Sequence, residues 1–382
     1  MQTLALSPLQ TLAVALLVLQ LGYCLTKRVD LLRRYYIPAP VVGGLLFAAA
    51  RYLLGSQGIV SVQLDATLQP IFFAGFFASI GFRASAKLLR EGLPKVLLFL
   101  VVTVGVAFLQ KLSGLLLGPL VGLSRTAGLL VGSGHMGGMA LQPLAVPVLA
   151  GQGAASQLPL LGAVATLGLL LGGFLGGPLY ALLTKGNRQR PASPPSPSPI
   201  NPPALLSHLA AYLVVVTIGQ LLVPKLMPYF PAFAGALAAA SAWRIVDDLS
   251  GHPRLDLNYI NTLGNISLSI TLAIAFMNLD LSKLGVLTAG AWMLVFLQIL
   301  LVLGISLFVV PALFGRDRMA ALIAAGLPGF AIGMPPNTMA TLQNIQEQNS
   351  PAPLVTFVVP VVGAWMITLI NPLIFNWVSS LL

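Results

Sequence analysis

The chain has 382 residues, of which 57% are hydrophobic and 8% charged, and its formal net charge is +11. A soluble domain carries roughly 25% charged residues, so this composition excludes a protein whose whole surface faces water. The long, continuous apolar runs predict membrane-spanning helices rather than alternating β-strands. In such a protein an excess of Lys and Arg indicates cytoplasmic loops, and we expect no nucleic-acid partner.

The apolar runs predict ten membrane-spanning helices, because a bilayer core of about 30 Å needs roughly 20 apolar residues per helix. In chain order the predicted spans cover 9–25, 37–54, 68–82, 96–117, 158–183, 204–223, 230–246, 261–279, 289–314 and 352–378. Two further apolar stretches, 127–149 and 319–345, are interrupted by Gly and Pro. Proline removes a backbone hydrogen bond, and such backbone survives in lipid only where protein or water shields it. We therefore expect both stretches to be re-entrant or broken segments.

A linker rich in Pro and Ser at 186–203 divides the chain into a first half, 1–185, and a second half, 204–382. Its composition predicts an extended, hydrated segment on the cytoplasmic side. The two halves share sequence landmarks in the same order. These landmarks are Pro159-Leu160 with Pro353-Leu354, and Pro178-Leu179 with Pro372-Leu373. Each half also has its broken segment just before its last span, so we expect an internal repeat.

The distribution of Lys and Arg predicts the orientation in the membrane. With the 27–34 loop inside and the spans alternating, fifteen of the 20 Lys and Arg residues lie inside. The five assigned to the outside are Arg51, Lys111, Arg125, Lys225 and Lys283. This asymmetry places both termini outside. Because each half has an odd number of spans, the second half enters from the opposite side, and we expect an all-α protein with inverted repeats of 5+5 helices.

Inverted repeats with a discontinuous segment in each half are typical of secondary transporters. Segments that enter from opposite faces can meet near the middle of the membrane, where helix N-termini favour an anion and free carbonyls bind sodium. A passive channel needs no such symmetry. An intramembrane enzyme is a further alternative, but the sequence has no His-Glu-x-x-His motif and offers Cys24 no histidine partner.

Several strings of small residues resemble the bacterial sodium/glutamate symporters. They include Ile37-Pro-Ala-Pro-Val-Val-Gly-Gly-Leu-Leu46, Phe76-Phe-Ala-Ser-Ile-Gly81, Ala165-Thr-Leu-Gly-Leu-Leu-Leu-Gly-Gly-Phe-Leu-Gly-Gly-Pro178, Leu263-Gly-Asn-Ile-Ser-Leu-Ser269 and Val358-Val-Pro-Val-Val-Gly-Ala364. The resemblance covers nearly the whole chain in order. It implies a sodium-coupled symporter of the inner membrane that takes up L-glutamate or a closely related anionic amino acid. It also implies a homodimer that moves its substrate domain like an elevator.

Both broken segments depart from the family pattern. The family reads Gly-Gly-His-Gly-Thr-Gly where this chain has Ser133-Gly-His-Met-Gly-Gly138. It reads roughly Gly-Ala-Thr-Pro-Thr-Ala where this chain has Gly333-Met-Pro-Pro-Asn-Thr338, and an acid of the family's last span is replaced by Thr368. These departures leave open a sodium-coupled transporter of another small anion, such as bicarbonate or a carboxylate.

The two breaks supply the candidate substrate-binding residues. In the first break, glycines let backbone amides approach an anion, and the His135 imidazole either donates to a carboxylate or braces the loop on a backbone carbonyl. In the second break, Pro336 can start a half-helix, and Asn337 and Thr338 offer neutral oxygens unless they only cap that helix. The complete set is Ser133, Gly134, His135, Gly137, Gly138, Gly333, Pro336, Asn337 and Thr338.

Sodium is the expected coupling ion, and its candidate ligands lie in the second half. Thr341 follows the second break, and Asn344 lies close to one helical turn further along the same face. Asn265 and Ser267 are polar residues within an apolar span, where interhelical hydrogen bonding is the alternative role. One sodium ion only cancels the charge of a monoanion, so uptake into an inside-negative cell predicts at least two sodium ions per anion.

Overall fold

The computed structural model describes residues 2–184, 201–221, 225, 232–250 and 255–382. Most of the predicted linker at 186–203, and the start of the predicted span 230–246, lie outside the described residues. Nearly all of the described chain is helical.

The first half is built mainly from long helices, several of which begin at a side-chain cap. For example, the Ser7 side chain accepts a hydrogen bond from the Gln10 amide, and the Gln10 side chain bonds back to the Ser7 amide. The helices are α1 (Pro8–Arg28), α2 (Asp30–Arg34), α3 (Ala39–Ser56), α4 (Gln69–Arg83), α5 (Ala86–Leu117), α6 (Arg125–Gly134), α7 (Gly138–Gly151) and α8 (Leu158–Leu183).

The second half continues with helices of similar length, joined in three places by π-helical turns. The π turns are Ile305–Val309, Gly329–Gly333 and Val361–Met366. The helices are α9 (Pro202–Leu221), α10 (Ala232–Leu249), α11 (Leu257–Met277), α12 (Ala289–Gly304), α13 (Val310–Phe314), α14 (Arg318–Pro328), α15 (Pro335–Gln348), α16 (Pro353–Pro360) and α17 (Ile367–Ser379).

A small parallel β-sheet joins the N-terminus to the segment that follows α3. Strand β1 (Gln2–Ala5) pairs with strand β2 (Val60–Gln63), with Gln2 opposite Val60. The expectation of an all-α chain therefore misses these strands. Each strand has four residues, which is too short for an alternating hydrophobic pattern to identify it in sequence.

Seven helices among the described residues are long and apolar enough to cross a membrane, so the chain is an integral membrane protein. They are Pro8–Arg28, Ala39–Ser56, Ala86–Leu117, Ala155–Leu183, Pro202–Leu221, Leu257–Met277 and Ala289–Phe314. Each of the seven overlaps a predicted span. The other three predicted spans correspond to α4, to α10 and to the pair α16–α17, which the π turn Val361–Met366 divides.

Both stretches predicted to be broken are interrupted in the structure. In the first, α6 ends at Gly134 and α7 begins at Gly138, with positive φ angles of 50° at Met136 and 77° at Gly137. In the second, a π turn follows α14 and ends at Gly333 before α15 begins at Pro335. Proline lacks an amide hydrogen and therefore suits the first turn of α15.

Helix α8 touches both broken segments over much of its length. It packs against α6 and α7 of the first and against α14, the π turn and α15 of the second. Helix α5 packs against α6 along one side and against α16 and α17 along another. Lys111 of α5 is wholly buried. It lies within the predicted span 96–117, near the end of α5 at Leu117.

Candidate functional site

The two breaks meet at one place, which we call the junction and define as residues 133–138 and 329–341. His135 Nδ1 lies 3.3 Å from the carbonyl oxygen of Ile332, so it donates when it carries the proton. Ile332 lies in the π turn of the second break. The structure therefore shows the bracing role for His135 and leaves Nε2 of the same ring without a hydrogen-bond partner among the described residues.

A row of glycines on α8 allows the second break to approach closely. Side chains on Gly168, Gly172 and Gly176 would overlap or crowd the carbonyl oxygens of Ile332, Gly329 and Ala325 respectively. The three glycines recur every four residues and so share one face of α8. Small residues on one helix face are how membrane interiors permit backbones to touch. In this way the glycine-rich string at 165–178 positions the second break.

A side chain of α5 that the sequence analysis does not select hydrogen-bonds to the backbone of the second break. Gln110 Nε2 donates to the carbonyl oxygen of Ala331 at 2.9 Å. Gln298 of α12 in turn donates from Nε2 to the backbone oxygen of Gln110 at 3.1 Å. Both glutamines are buried within long apolar helices. A polar side-chain amide inside an apolar span is the feature of the sequence that could have identified them as functional candidates.

A side chain of the last helix, α17, hydrogen-bonds to the backbone of the first break. Asn371 Nδ2 of α17 donates to the carbonyl oxygen of Met136 at 2.9 Å. Met136 has a positive φ angle, a conformation that costs a residue with a side chain more than glycine. The bond from Asn371 helps to hold this unfavourable turn.

Four of the predicted side chains bring buried polar atoms to the junction that have no hydrogen-bond partner among the described residues. A buried polar group without a partner costs about 1–3 kcal/mol, so such atoms indicate a place for a ligand or ion. They come from both breaks, which is what a shared binding site requires. The atoms are Ser133 Oγ, His135 Nε2, Asn337 Oδ1 and Thr341 Oγ1.

Further polar atoms of the predicted substrate-binding residues hydrogen-bond to backbone carbonyl groups of the protein. Thr338 Oγ1 donates to the carbonyl oxygen of Gly326 at 2.9 Å, and Asn337 Nδ2 donates to that of Leu169 at 2.8 Å. The backbone amide of Asn337 donates to the Met334 carbonyl, so it is already hydrogen-bonded within the protein. Because α15 begins with two prolines, few of its N-terminal amides remain for an anion.

The glycines of the breaks differ in what they do. Gly137 has a φ angle of 77° and open space around it, so it serves the turn. Gly134 lies against the side chain of Val164, and Gly138 lies near the carbonyl oxygen of Ser133. Gly333 faces the Gly168 carbonyl and Asn337, which places it in the contact between α8 and the second break.

The four candidate sodium ligands fall into separate places. Thr341 is buried at the junction, whereas Asn344 lies further along α15 and accepts a hydrogen bond from Gln348. Ser267 accepts a hydrogen bond from the Tyr212 hydroxyl at 3.0 Å, in the contact between α11 and α9. Asn265 lies on an exposed face of α11. Among the described hydrogen bonds, neither Asn265 nor Ser267 reaches a break.

A cavity of about 360 Å³ lies beside α15, between it and helices α1, α3 and α11. It is of the size of a small-molecule site, which is about 300–1,000 Å³. Its walls carry two cations and several neutral polar groups, together with one acid. These side chains include Lys27, Arg33, Ser269, Gln343, Asn344 and Glu347.

Comparison with known proteins identifies the family of the chain. The family model described as sodium/glutamate symporter matches residues 4–351 of the chain. The chain belongs to the sodium/glutamate symporter family. It is 32% identical to the sodium/glutamate symporter of Escherichia coli (strain K12), over 97% of each chain. It is 30% identical to that of Haemophilus influenzae, over 96% of this chain and 95% of the relative. Members of this sodium/glutamate symporter family are transporters, so the chain is a membrane transporter and not an enzyme.

Proposed function

We propose that the chain is a sodium-coupled symporter that imports L-glutamate or a closely related anionic amino acid. The observation that carries this proposal is the junction, where both breaks meet and where each contributes buried polar atoms that have no hydrogen-bond partner among the described residues. The names of the relatives, sodium/glutamate symporter, support the choice of ion and solute. A carboxylate is drawn to the helix N-terminus that begins at Gly138, because amides and the helix dipole favour negative charge there.

Within this proposal the residues of the junction divide between solute and ion. Ser133, His135 and Asn337 bind the amino acid, with the backbone of Gly137 and Gly138 close to its carboxylate. Thr341 Oγ1 offers sodium a neutral oxygen at the junction, and Asn344 offers another in the cavity beside α15. That cavity is the path from the cytoplasmic side, where Lys27 and Arg33 attract or release an anion.

The mechanism proposed is alternating access by two inverted halves of 5+5 helices, with elevator-like movement of the substrate domain. The boundaries are 1–185 and 204–382, joined by the cytoplasmic segment 186–203. Both termini lie outside the inner membrane, and the protein is a homodimer. The shared landmarks and the separate break in each half support the repeat, and the resemblance to the family supports the dimer.

Transport by purified protein in liposomes tests the function. We expect an inward sodium gradient to drive radiolabelled L-glutamate above its equilibrium level, and a sodium ionophore to abolish that accumulation. Uptake of L-glutamate that stops at the equilibrium level and does not depend on sodium would contradict symport and favour a channel. Unlabelled bicarbonate and small carboxylates serve as competitors, and stronger inhibition by one of them than by L-glutamate would replace the proposed solute.

The same liposomes test the number of sodium ions. Without a co-transported proton, a net inward positive charge per monoanion requires at least two sodium ions, and each 100 mV then contributes about 2.3 kcal/mol per charge. We expect saturating L-glutamate to produce a sodium-dependent inward current. Electroneutral transport would contradict the stoichiometry of two or more.

A further inference from the structure

Lys111 is a buried lysine of α5 for which the symport mechanism above has no use. Its side chain is wholly buried, and its Nζ lies 2.5 Å from Asn371 Oδ1 and 3.4 Å from the carbonyl oxygen of Ala107. Asn371 uses its other polar atom, Nδ2, to bond the Met136 carbonyl of the first break. A single side chain therefore separates Lys111 from the junction.

No carboxylate compensates Lys111 among the described residues. The described ion pairs are Arg33–Asp30, Lys87–Glu91 and Arg244–Asp248. An ammonium group with only two neutral oxygens as partners is costly inside a membrane. The neutral amine avoids most of that cost, because it keeps a donor for Asn371 without the charge.

The elements packed against α5 bring one titratable side chain towards Lys111. No titratable side chain occurs within the described ranges of helices α12, α16 and α17 or of the adjacent π turns. The charged residue of α6 is Arg125, which is the first residue of that helix. The other charged residues of α5 lie near its beginning, at 87–95. The group that remains is His135, which adjoins Met136, the residue that Asn371 links to Lys111 by hydrogen bonds.

We propose that Lys111 Nζ is the binding site of a coupling proton. This rests on the proposed function, because the event that favours protonation is the arrival of an anion at the junction. The amine of the substrate-free protein uses its lone pair to take one proton and becomes an ammonium group. The positive charge of this ammonium group offsets the negative charge of the solute. The two charges are separated by Asn371 and the backbone of the first break. When the solute leaves on the other side, the ammonium returns the proton to water, so one proton accompanies each anion.

A first experiment needs no solute. The melting temperatures of the wild type and Lys111→Met are measured in detergent from about pH 6 to about pH 9. A lysine that is neutral when folded takes up a proton on unfolding, so raising the pH stabilises the wild type more than Lys111→Met. Lys283→Met, at an exposed lysine, should follow the wild type. Parallel pH dependences for the wild type and Lys111→Met would overturn the proposal.

A second experiment measures protons directly. L-glutamate is added with sodium to weakly buffered wild type that contains a pH indicator. We expect an uptake approaching one proton per chain, which is lost in Lys111→Met and also in Lys111→Arg, a permanently charged variant that serves if the methionine variant does not fold. Binding of L-glutamate without proton uptake would overturn the proton site and leave the symporter intact. If the wild type does not bind L-glutamate, the proposed solute is wrong, and the melting experiment decides the proton site alone.

Discussion

Gly168 of α8 lies directly against the carbonyl oxygen of Ile332, so that any side chain at position 168 would overlap that oxygen. His135 Nδ1 approaches the same oxygen from the first break. One carbonyl group of the second half is thus enclosed by two elements of the first half. The contact fixes the position of the second break relative to the first.

We expect Gly168→Ala to displace the second break and to abolish most sodium-dependent L-glutamate uptake. The obstacle is backbone rather than the flexible end of a side chain, so relaxation requires movement of α8 or of the π turn. Gly105→Ala on α5 is the matched control, because open space surrounds Gly105. It should raise stability by about 0.5–1 kcal/mol and leave uptake unchanged. Normal uptake by Gly168→Ala would show that the contact has no role in transport.

His135→Phe should weaken L-glutamate binding about five- to 150-fold. The variant keeps an aromatic ring but leaves the Ile332 carbonyl without its donor, and a lost hydrogen bond of this kind costs about 1–3 kcal/mol. His135→Asn retains a donor near the position of Nδ1 and should recover part of the affinity. Equilibrium binding in detergent measures both variants. Equal binding of L-glutamate by His135→Phe and the wild type would show that His135 does not contribute to the binding site.

Thr341→Val should raise the sodium concentration needed for half-maximal uptake about five- to thirtyfold. The Thr341 hydroxyl is buried and has no hydrogen-bond partner among the described residues, so its removal should not lower the melting temperature. Thr103→Val is the control, because Thr103 is equally buried but bonds the Phe99 carbonyl within α5. An unchanged sodium dependence in Thr341→Val would exclude this hydroxyl as a sodium ligand.

Gln110→Leu should destabilise the protein by about 1 kcal/mol and reduce uptake. The change leaves the Ala331 carbonyl without its donor and removes a link between α5 and the second break. Val101→Leu, on an exposed face of the same helix, should behave like the wild type. Melting temperatures and initial uptake rates are the measurements. Full stability and activity of Gln110→Leu would show that α5 does not support the second break through this bond.

The sequence predicts the parts of the site that depend on backbone chemistry. Proline and glycine have local effects on any helix, so both breaks were predicted close to their observed positions, around 135–137 and near 334. His135 could be selected because a histidine within a glycine-rich break has few other roles. The bracing contact with Ile332 was among the predicted alternatives, but the identity of its partner depends on how the two halves pack.

Tertiary contacts account for what the sequence did not predict. Lys111 lies within the predicted span 96–117, but only the packing of other elements around α5 shows that its side chain is buried. For Ser267 the sequence predicts either a sodium ligand or an interhelical hydrogen bond, and only the fold identifies Tyr212, from a distant part of the chain, as the partner in such a bond. Gln110 and Asn371 gain their roles only because distant carbonyl groups lie within reach.

The most direct test of a shared site is a double-mutant cycle between the two breaks, with Ser133→Ala and Thr341→Val. Neither side chain has a hydrogen-bond partner among the described residues, so their effects on melting temperature should be additive. If both breaks bind one solute together with its sodium ion, the losses in sodium-dependent L-glutamate affinity should instead differ from additivity by about 0.5–3 kcal/mol. Losses that add to within about 0.5 kcal/mol would contradict the account.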